Sequence, residues 1–328
     1  MLTAATPTLI AIFALAGLAP PADAQANAPA YPTQAIKMIV SFGVGGGSDI
    51  VSRIIAARMQ EKLGQAVVVE NRPGSGGLIG NEVVANAAKD GYTIANMSAA
   101  QIITATLTKQ MRFHPIDAFD PITLVAEGGL IVSVRPDFPA KSIKDLIATA
   151  KAEPDKLIFA SPGFGGTQHL AAEWFTQIAG IKMRHVPFRT SPEALTALLG
   201  RQVDVLFETV TAVIGQIQAG EVRALAVTGK DRFPAVPDLP TVIESGLVPG
   251  YDVSTWYGFF GPKGMPPAVT AKLNAVINEI IKEKDVVEKL TKVGVLVKGS
   301  TPEAFGKHLT SEFDKWNQVR IKADLPQK

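Results

Sequence analysis

The chain contains no cysteine among its 328 residues. This absence excludes a thiolate nucleophile, a zinc site with cysteine ligands, an iron–sulfur cluster and any disulfide framework. It does not identify the compartment, because a large exported bacterial protein can fold on its hydrophobic core without disulfides. The absence of cysteine thus excludes these kinds of site but does not determine the cellular compartment.

An excess of charge of either sign is also missing. The chain has 32 Lys and Arg residues and 30 Asp and Glu residues, which gives a formal net charge of +2. Because no basic clustering is present, we expect no nucleic-acid partner. The absence of charge runs and a hydrophobic content of 47% exclude a disordered chain. At about 150 residues per domain, the length predicts about two domains.

Long hydrophobic runs are absent, apart from a short one near the start of the chain. Residues 9–16 form an apolar run that is too short to span a bilayer. An Ala-x-Ala sequence at Ala22 and Ala24 fits a signal-peptidase site. No Lys or Arg precedes the run, so either the start is misassigned or the leader is atypical. We expect a signal peptide at residues 1–24 and a periplasmic protein, with a disordered cytosolic leader as the alternative.

The sequence is built on a repeated order of strand, glycine-rich turn and helix. In the first unit, residues 36–42 predict a buried strand, Gly45 to Gly47 a turn, and Ser48 the cap of a helix that ends at Gly64. Further predicted elements are strands at 66–70, 92–97, 157–160, 203–207 and 222–227, helices capped at Ser142 and Ser191, and helices around 269–280 and from Thr301. This alternation predicts an α/β fold with mostly parallel sheets, which bind ligands at the carboxyl ends of their strands.

Three glycine-rich turns occur, at residues 42–49, 74–77 and 163–169. Glycines at a helix N-terminus let an anion approach the exposed backbone N–H groups. None of the turns has the Lys and Ser/Thr pair of a nucleotide phosphate loop, and Ser48 stands where the third glycine of a dinucleotide motif belongs. Two opposed turns of this kind favour a singly charged carboxylate. The alternative is that they are only tight strand-to-helix turns.

His169 directly follows the third turn and raises two further hypotheses. With Ser161 nearby and Asp49 or Asp204 as partner, it could act as a catalytic base, but the Gly-x-Ser-x-Gly sequence is missing. With Glu173 it could hold a metal, but two ligands without a third make a weak site. An enzyme acting on a carboxylate is therefore the alternative to a binding protein. We expect no enzyme, no metal and no cofactor.

A set of short motifs occurs in order along nearly the whole chain. They are the segments 31–36, 42–49, 67–77, 90–93, 119–122, 185–188, 200–204 and 261–266. This set resembles the TctC/Bug group, the periplasmic substrate-binding proteins of tripartite tricarboxylate transporter systems. The resemblance implies a type II periplasmic-binding fold, in which two α/β domains with two interdomain crossings surround a ligand cleft. The implied division is residues 25–127 for the first domain, 128–252 for the second, and 253–328 for the return to the first.

The resemblance also implies which residues bind the ligand. Two glycine loops face each other and hold a carboxylate through backbone amides, hydroxyls and bridging waters. The residues implied on the two loops are Phe42, Gly43, Val44, Gly46, Ser48 and Asp49, facing Ser161, Gly163, Gly165, Gly166, Thr167 and His169. Further candidates are Ser98, Ala99 and Asp204.

The family implies a receptor that captures a small organic acid by domain closure and delivers it to large and small integral-membrane subunits. A receptor that feeds a sensor is an alternative, and we expect a monomer. Among carboxylates, the small apolar residues Val44 and Ala99 favour an aliphatic dicarboxylate over a ligand that stacks on aromatic rings. Residues 186–190 depart from the Val-Pro-Tyr-Lys-Gly that family members often have. The far end of the ligand is therefore expected to meet a different surface.

Overall fold

The computed structural model describes residues 31–109 and 111–322, together with Met1 and Gln327. Apart from Met1, the predicted signal peptide lies outside the described residues. The strands are β1 Ile36–Val40, β2 Val67–Asn71, β3 Thr93–Ser98, β4 Phe119–Val134, β5 Ile158–Ser161, β6 Arg184–Pro187, β7 Val205–Thr209, β8 Arg223–Val227, β9 Ser254–Pro262 and β10 Val295–Val297. The helices are α1 Gly47–Leu63, α2 Leu78–Ala85, α3 Ala99–Leu107, α4 Ile143–Ala152, α5 Thr167–Ala179, α6 Ser191–Leu199, α7 Val210–Gln218, α8 Pro267–Ile280, α9 Lys284–Lys292 and α10 Pro302–Lys322. Within the described residues, no helix has the length and apolar content needed to cross a membrane.

Two helix boundaries form where local sequence signals predict them. Gly64 ends α1 in the left-handed conformation, with φ of 65°, which costs glycine little because it has no Cβ. The Ser142 hydroxyl accepts a hydrogen bond from the backbone N–H of Asp145 and caps α4. Both predictions are confirmed.

Two predicted caps are wrong by one or two residues. The N-cap of α1 is Gly46, so Ser48 lies inside the first turn. The N-cap of α6 is Thr190, whose hydroxyl accepts from the backbone N–H of Glu193. Thr190 has the extended backbone of a cap, which leaves Ser191 as the first helical residue. In each case the helix begins closer to the preceding loop than the sequence pattern suggested.

The long strand β4 joins two halves of the sheet. Its residues up to Gly129 pair with β9, which also pairs with β3, while residues from Leu130 onward pair with β7 and β8. We call the half with β1, β2, β3, β9 and β10 the first lobe, and the half with β5 to β8 the second lobe. The chain returns near Val253, whose N–H donates to Thr228, and Ser254 then opens β9. The domain limits implied by the resemblance stay a prediction.

The sheet is more mixed than the expected mostly parallel arrangement. The outer strands are parallel, in the order β2-β1-β3 in the first lobe and β7-β5-β6 in the second. The pairs that involve β4 and β9 are antiparallel. These two strands pass between the lobes in opposite directions, so they cannot both run parallel to their neighbours. The α/β class itself is confirmed.

Helix α10 closes the first lobe by packing on the central strands. Phe305, Leu309 and Trp316 are buried, while Phe313 is half-buried. The ring of Phe305 lies directly over Gly258 of β9, where a Cβ would overlap the ring. Gly258 therefore supplies the gap that lets α10 approach the sheet.

We predict opposite effects for two glycine-to-alanine changes. G258A forces a methyl group against the buried Phe305 ring and should destabilise the protein by about 1–3 kcal/mol. Gly215 lies on the exposed face of α7, and a methyl group added there would meet no other atom within 4 Å. G215A should therefore stabilise the protein by about 0.5–1 kcal/mol. Urea denaturation of the two variants measures both changes. A G258A midpoint at or above the wild-type value would contradict this account of α10 packing.

Candidate functional site

Five helices begin around one small pocket between the lobes. Their N-caps are Gly46 of α1, Ser98 of α3, Gly166 of α5, Thr190 of α6 and Thr209 of α7. The first turns of these helices line the pocket with Gly46, Gly47, Ser48, Ser98, Ala100, Thr167, Gln168, Thr190, Ser191 and Thr209. A helix N-terminus carries partial positive charge and free N–H donors, worth about 0.3–1 kcal/mol each to a nearby anion. The arrangement therefore favours an anionic group.

The pocket, which we call the inner pocket, opens beside a much larger space, the outer cavity. The inner pocket has a volume of about 30 Å³ and the outer cavity about 1380 Å³. The residues that line both are Phe42, Pro162, Gln168, Arg189 and Thr190. A space of about 10–15 Å³ suffices for one water molecule, so the inner pocket has room for a carboxylate group or about two waters. The rest of any larger ligand must lie in the outer cavity.

A buried hydroxyl without a partner lines the inner pocket. Thr167 is 2% exposed, and its Oγ1 has no hydrogen-bond partner among the described residues. Leaving a buried hydroxyl unsatisfied costs about 1–3 kcal/mol. Because Thr167 is the first residue of α5, its hydroxyl lies next to the free N–H groups of that helix. A ligand oxygen bound here would satisfy both kinds of donor.

The phenol of Tyr257 forms another part of the inner wall. Tyr257 is buried, and burial raises the pKa of its phenol above the ordinary value, so it stays protonated at neutral pH. Its hydroxyl lies so close to Gly47 that a Cβ at that position would overlap it. Gly47 is therefore required for the start of α1 to approach Tyr257. This contact sets the depth of the pocket.

Asp49 organises the loop before α1 rather than offering a free carboxylate. Its oxygens accept hydrogen bonds from the Gly45 N–H at 3.0 Å, Arg53 Nε at 3.0 Å and Asn71 Nδ2 at 2.9 Å. Asn71 also donates to the backbone oxygen of Phe42. Burial alone would raise the pKa of Asp49, but these donors outweigh it and hold the pKa below the ordinary value. The carboxylate is thus charged and fully engaged in shaping the loop.

His169 is held in a stack of rings at the wall of the outer cavity. Its Nδ1 accepts from the Gly165 N–H at 3.1 Å, and its Nε2 lies 3.5 Å from the Glu173 carboxylate. The ring stacks on His185 with 4.0 Å between centroids. Burial, with His169 adding to it, lowers the pKa of His185 to about 3, so His185 is neutral at pH 7. Ser161 lies 2.7 Å from His185 rather than bonding to His169.

These contacts disfavour the catalytic and metal hypotheses for His169. Both of its ring nitrogens are engaged, and Asp49 and Asp204 bond to other partners. In the described part of the chain, no group of three His, Asp or Glu residues is arranged so that it could hold a metal ion. The position suits a residue that fixes the glycine loop before α5.

A buried acid, Glu208, lies behind the inner pocket. Its Oε1 accepts from Gln168 Nε2 at 2.8 Å and from the Thr209 N–H at 2.7 Å. Burial raises the pKa of Glu208 despite these hydrogen bonds. A carboxyl group that is readily protonated repels a neighbouring anion less than a fixed charge does. Its hydrogen bond also fixes Gln168, which lines both spaces.

Most of the residues expected from sequence lie around these two spaces. Those that line the inner pocket are Phe42, Gly43, Gly46, Ser48, Ser98 and Thr167. Those that line the outer cavity are Phe42, Gly163, Gly165, Gly166 and His169. Ser161 lines neither space, and its hydroxyl forms a hydrogen bond with His185, which stacks on His169. Their contact with a ligand stays a prediction.

Asp49 and Ser161 line neither space but support the two loops, and three further expected residues also lie outside both linings. Val44 is 59% exposed and lines neither space. Ala99 is fully buried, and its neighbour Ala100 lines the inner pocket instead. Asp204 precedes β7 and bonds to Arg135 at 3.1 Å, so it lies at the amino end of the sheet, opposite the pocket. The smallness of Val44 and Ala99 therefore says nothing about the ligand.

Several lining residues were missed by the sequence reasoning. Ser191 from α6, Thr209 from α7 and Gln168 line the inner pocket, as do Arg189 and Thr190 of the segment 186–190, which was expected only at the far end of the ligand. The sequence predicts the start of α6, but nothing in it shows that this helix start turns toward the α1 loop. That neighbourhood depends on how the two lobes meet.

Two α/β lobes joined by crossing strands around a pocket define the class of periplasmic binding proteins, and solved members of that class share this fold. BugD, described as a periplasmic binding protein, matches with a TM-score of 0.86 and 35% identity over 91% of this chain and all of its own. A model of the tripartite tricarboxylate transporter family receptor matches residues 51–325. The chain therefore belongs to the TctC/Bug family of periplasmic solute-binding receptors, which confirms the resemblance.

Other relatives extend this comparison. Protein BugT of Bordetella pertussis is 34% identical over 95% of both chains. MatC of Rhodopseudomonas palustris, solved with bound malate, matches with a TM-score of 0.84 and 31% identity over 88% of this chain and 99% of its own. An R. palustris protein solved with adipate matches with a TM-score of 0.86 and 31% identity over 90% and 98%.

We predict that D49N loosens the loop before α1 and removes a pH-dependent contribution to stability. At pH 7 the neutral amide cannot satisfy the donors that face Asp49, which should cost about 1–3 kcal/mol. Because the folded pKa is depressed, the wild-type contribution is present above the unfolded pKa of about 3.9 and is lost as pH falls through the lower folded value. The difference in the free energy of unfolding between wild type and D49N should therefore shrink below about pH 4.

Urea midpoints at pH 7 and pH 3 measure this difference. D314N is the matched control, since Asp314 is exposed on α10 and makes no hydrogen bond or ion pair with the described residues. The urea midpoint of D314N should lie close to that of wild type at both pH values. Equal gaps for D49N at pH 7 and pH 3 would argue against the proposed role of Asp49.

Proposed function

We propose that this receptor captures a small organic acid between its lobes and delivers it to a membrane carrier. The observation that carries the proposal is the meeting of five helix N-termini, with the unpartnered Thr167 hydroxyl, at a pocket the size of one carboxylate. Backbone N–H groups fixed in place can replace the water that surrounds a carboxylate in solution. The recognition we propose rests on dipoles and does not require a cation in the inner pocket.

We propose that binding is accompanied by closure of the lobes at their strand crossings. The positions that would act as hinges are Gly129 of β4 and Val253 before β9, with domains at 25–127, 128–252 and 253–328. Support comes from contacts across the cleft: Thr104 of α3 donates to the Gly165 oxygen at 2.8 Å. A closed cleft excludes water and strengthens the attraction between the carboxylate and the helix N-termini.

Within the organic acids, we propose an aliphatic dicarboxylate. Adipate in one relative and malate in another support this class. The outer cavity provides the space that a second carboxylate needs, because the inner pocket holds only one. Aromatic side chains line the outer cavity. The proposal of an aliphatic dicarboxylate therefore rests on the ligands of the relatives and on charge, and not on small residues in the loops.

We further propose a monomeric, periplasmic receptor without enzymatic activity. The engaged ring nitrogens of His169 support binding over turnover. The family supports a carrier made of a large and a small membrane subunit as the partner. A receptor that feeds a sensor would need the same liganded state. Neighbouring genes for the two membrane subunits would favour transport over sensing.

The proposed function predicts thermal stabilisation by one class of carboxylate. A ligand at about 100 times its Kd adds about 2.7 kcal/mol of stability, which raises Tm by several degrees in a protein of this size. We expect a shift with dicarboxylates and none with amines or sugars in a thermal-shift screen. Protein refolded without ligand serves as the control for acid retained from expression. The absence of any shift in refolded protein would overturn the proposal.

A second prediction separates binding from folding at Thr167. T167V replaces an unpartnered buried hydroxyl by a methyl group, so the unliganded protein should be as stable as wild type or more so. Its affinity for the acid should fall about tenfold, because one donor to the carboxylate is lost. Calorimetric titration and urea denaturation measure the two effects.

The matched control for T167V is T176V in the same helix. The Thr176 hydroxyl already donates to the Glu173 oxygen at 2.8 Å. T176V should therefore lower stability and leave affinity unchanged. Unaltered affinity in T167V would show that the hydroxyl does not contact the ligand.

A further inference from the structure

The outer cavity is lined by one arginine whose guanidinium has no partner among the described residues. Two arginines line this cavity, Arg112 and Arg189. Arg112 lies at the rim with its side chain 84% exposed and pairs with Glu82 at 3.1 Å. Arg189 is exposed, and its guanidinium makes no hydrogen bond or ion pair with any described residue. The two arginines thus differ in whether their charge is available.

The acids around the outer cavity already have partners. Glu82 pairs with Arg112, and Glu173 lies 3.5 Å from His169. Glu193 accepts a hydrogen bond from the backbone N–H of Arg189 at 3.1 Å, so it uses that residue's amide rather than its guanidinium. Among the described lining residues, the guanidinium of Arg189 is therefore the cationic group without a side-chain partner, and Glu193 is an acid that no cation pairs with.

Arg189 also lies where a ligand must pass from one space to the other. It is one of the residues that line both the inner pocket and the outer cavity. A molecule with one carboxylate in the inner pocket therefore extends past Arg189. A guanidinium presents five N–H donors in a planar fork that matches a carboxylate, on a side chain with several rotatable bonds.

The outer cavity also presents apolar rings. Phe42 and Phe188 line the outer cavity beside Arg189, and Phe164 at the tip of the opposite glycine loop is 49% exposed. Methylene groups lose contact with water against such rings, at about 25 cal/mol per Å² of buried apolar surface. An apolar spacer between two carboxylates can therefore be accommodated in the outer cavity.

We propose that Arg189 binds the second carboxylate of an α,ω-dicarboxylate and so selects dicarboxylates over monocarboxylates. The inference rests on the proposed function, since it takes the first carboxylate to lie in the inner pocket. Arg189 acts on specificity, and the helix N-termini supply the affinity common to both kinds of acid. Substitution of Arg189 should therefore change the preference between ligands more than it changes binding of a monocarboxylate.

The test is calorimetric titration of wild type and R189Q with saturated C4 to C9 dicarboxylates and the monocarboxylates of equal carbon number. Wild type should bind the best dicarboxylate at least tenfold more tightly than its matched monocarboxylate. In R189Q the dicarboxylate affinity should fall about tenfold or more. The monocarboxylate affinity should fall less, because Arg189 also lines the inner pocket but the helix N-termini there remain, so the ratio of the two affinities should drop. R189K should recover part of the preference, because it keeps the charge but loses the fork.

R184Q is the matched control. Arg184 is exposed, opens β6, has no side-chain partner among the described residues and lines neither space. R184Q should keep the wild-type preference. Because Arg189 is exposed, R189Q should also keep the wild-type urea midpoint.

The outcomes separate this inference from the proposed function. If R189Q keeps the full preference for dicarboxylates, Arg189 is not the selecting residue, and the receptor function stands. If wild type binds monocarboxylates as tightly as dicarboxylates, the selection itself is refuted. If wild type binds no acid at all, the proposed function fails and this inference fails with it.

Discussion

The arrangement of the molecule depends on strand direction. In both lobes the outer strands are parallel, and parallel strands deliver the following helices with their N-termini at the same edge of the sheet. The strands β4 and β9 cross between the lobes and turn these two edges toward each other. Five helix starts then meet across a narrow gap. The electrostatic character of the pocket follows from this topology before any side chain is considered.

Side chains complete what the topology begins. Asp49 ties Gly45, Arg53 and Asn71 together, so the loop before α1 keeps one shape without a ligand. On the other side, the rings of His169 and His185 stack behind the second glycine loop. A site whose parts are held in this way loses less conformational entropy on binding than one that must be ordered by its ligand. Asp49 and His169, which the sequence offered as candidates for catalysis or ligand binding, thus hold the two loops in place.

Local features could be predicted from sequence, while contacts between distant segments could not. Gly64 and Ser142 act through backbone conformation and a neighbour three residues away, so their roles are visible in the sequence. The site is set by segments far apart in the chain, such as Thr190 facing the α1 loop. Asp204 was a candidate for ligand binding from the family resemblance alone, and it lies at the start of β7, away from the carboxyl ends of the strands. The unpaired state of Arg189 likewise depends on where all the acids lie.

The division into an inner pocket and an outer cavity bears on how such receptors diverge. Most residues that line the inner pocket are small and lie at or next to helix starts, and many sequences can supply such residues. The outer cavity is lined in addition by long side chains such as Met111 and Arg112, which lie away from the helix starts. During evolution, the part of the site that binds the carboxylate can thus stay the same while the part that binds the rest of the ligand changes. Duplicated copies of such a gene could acquire new ligands through a few substitutions, each leaving the fold and the anion-binding end intact.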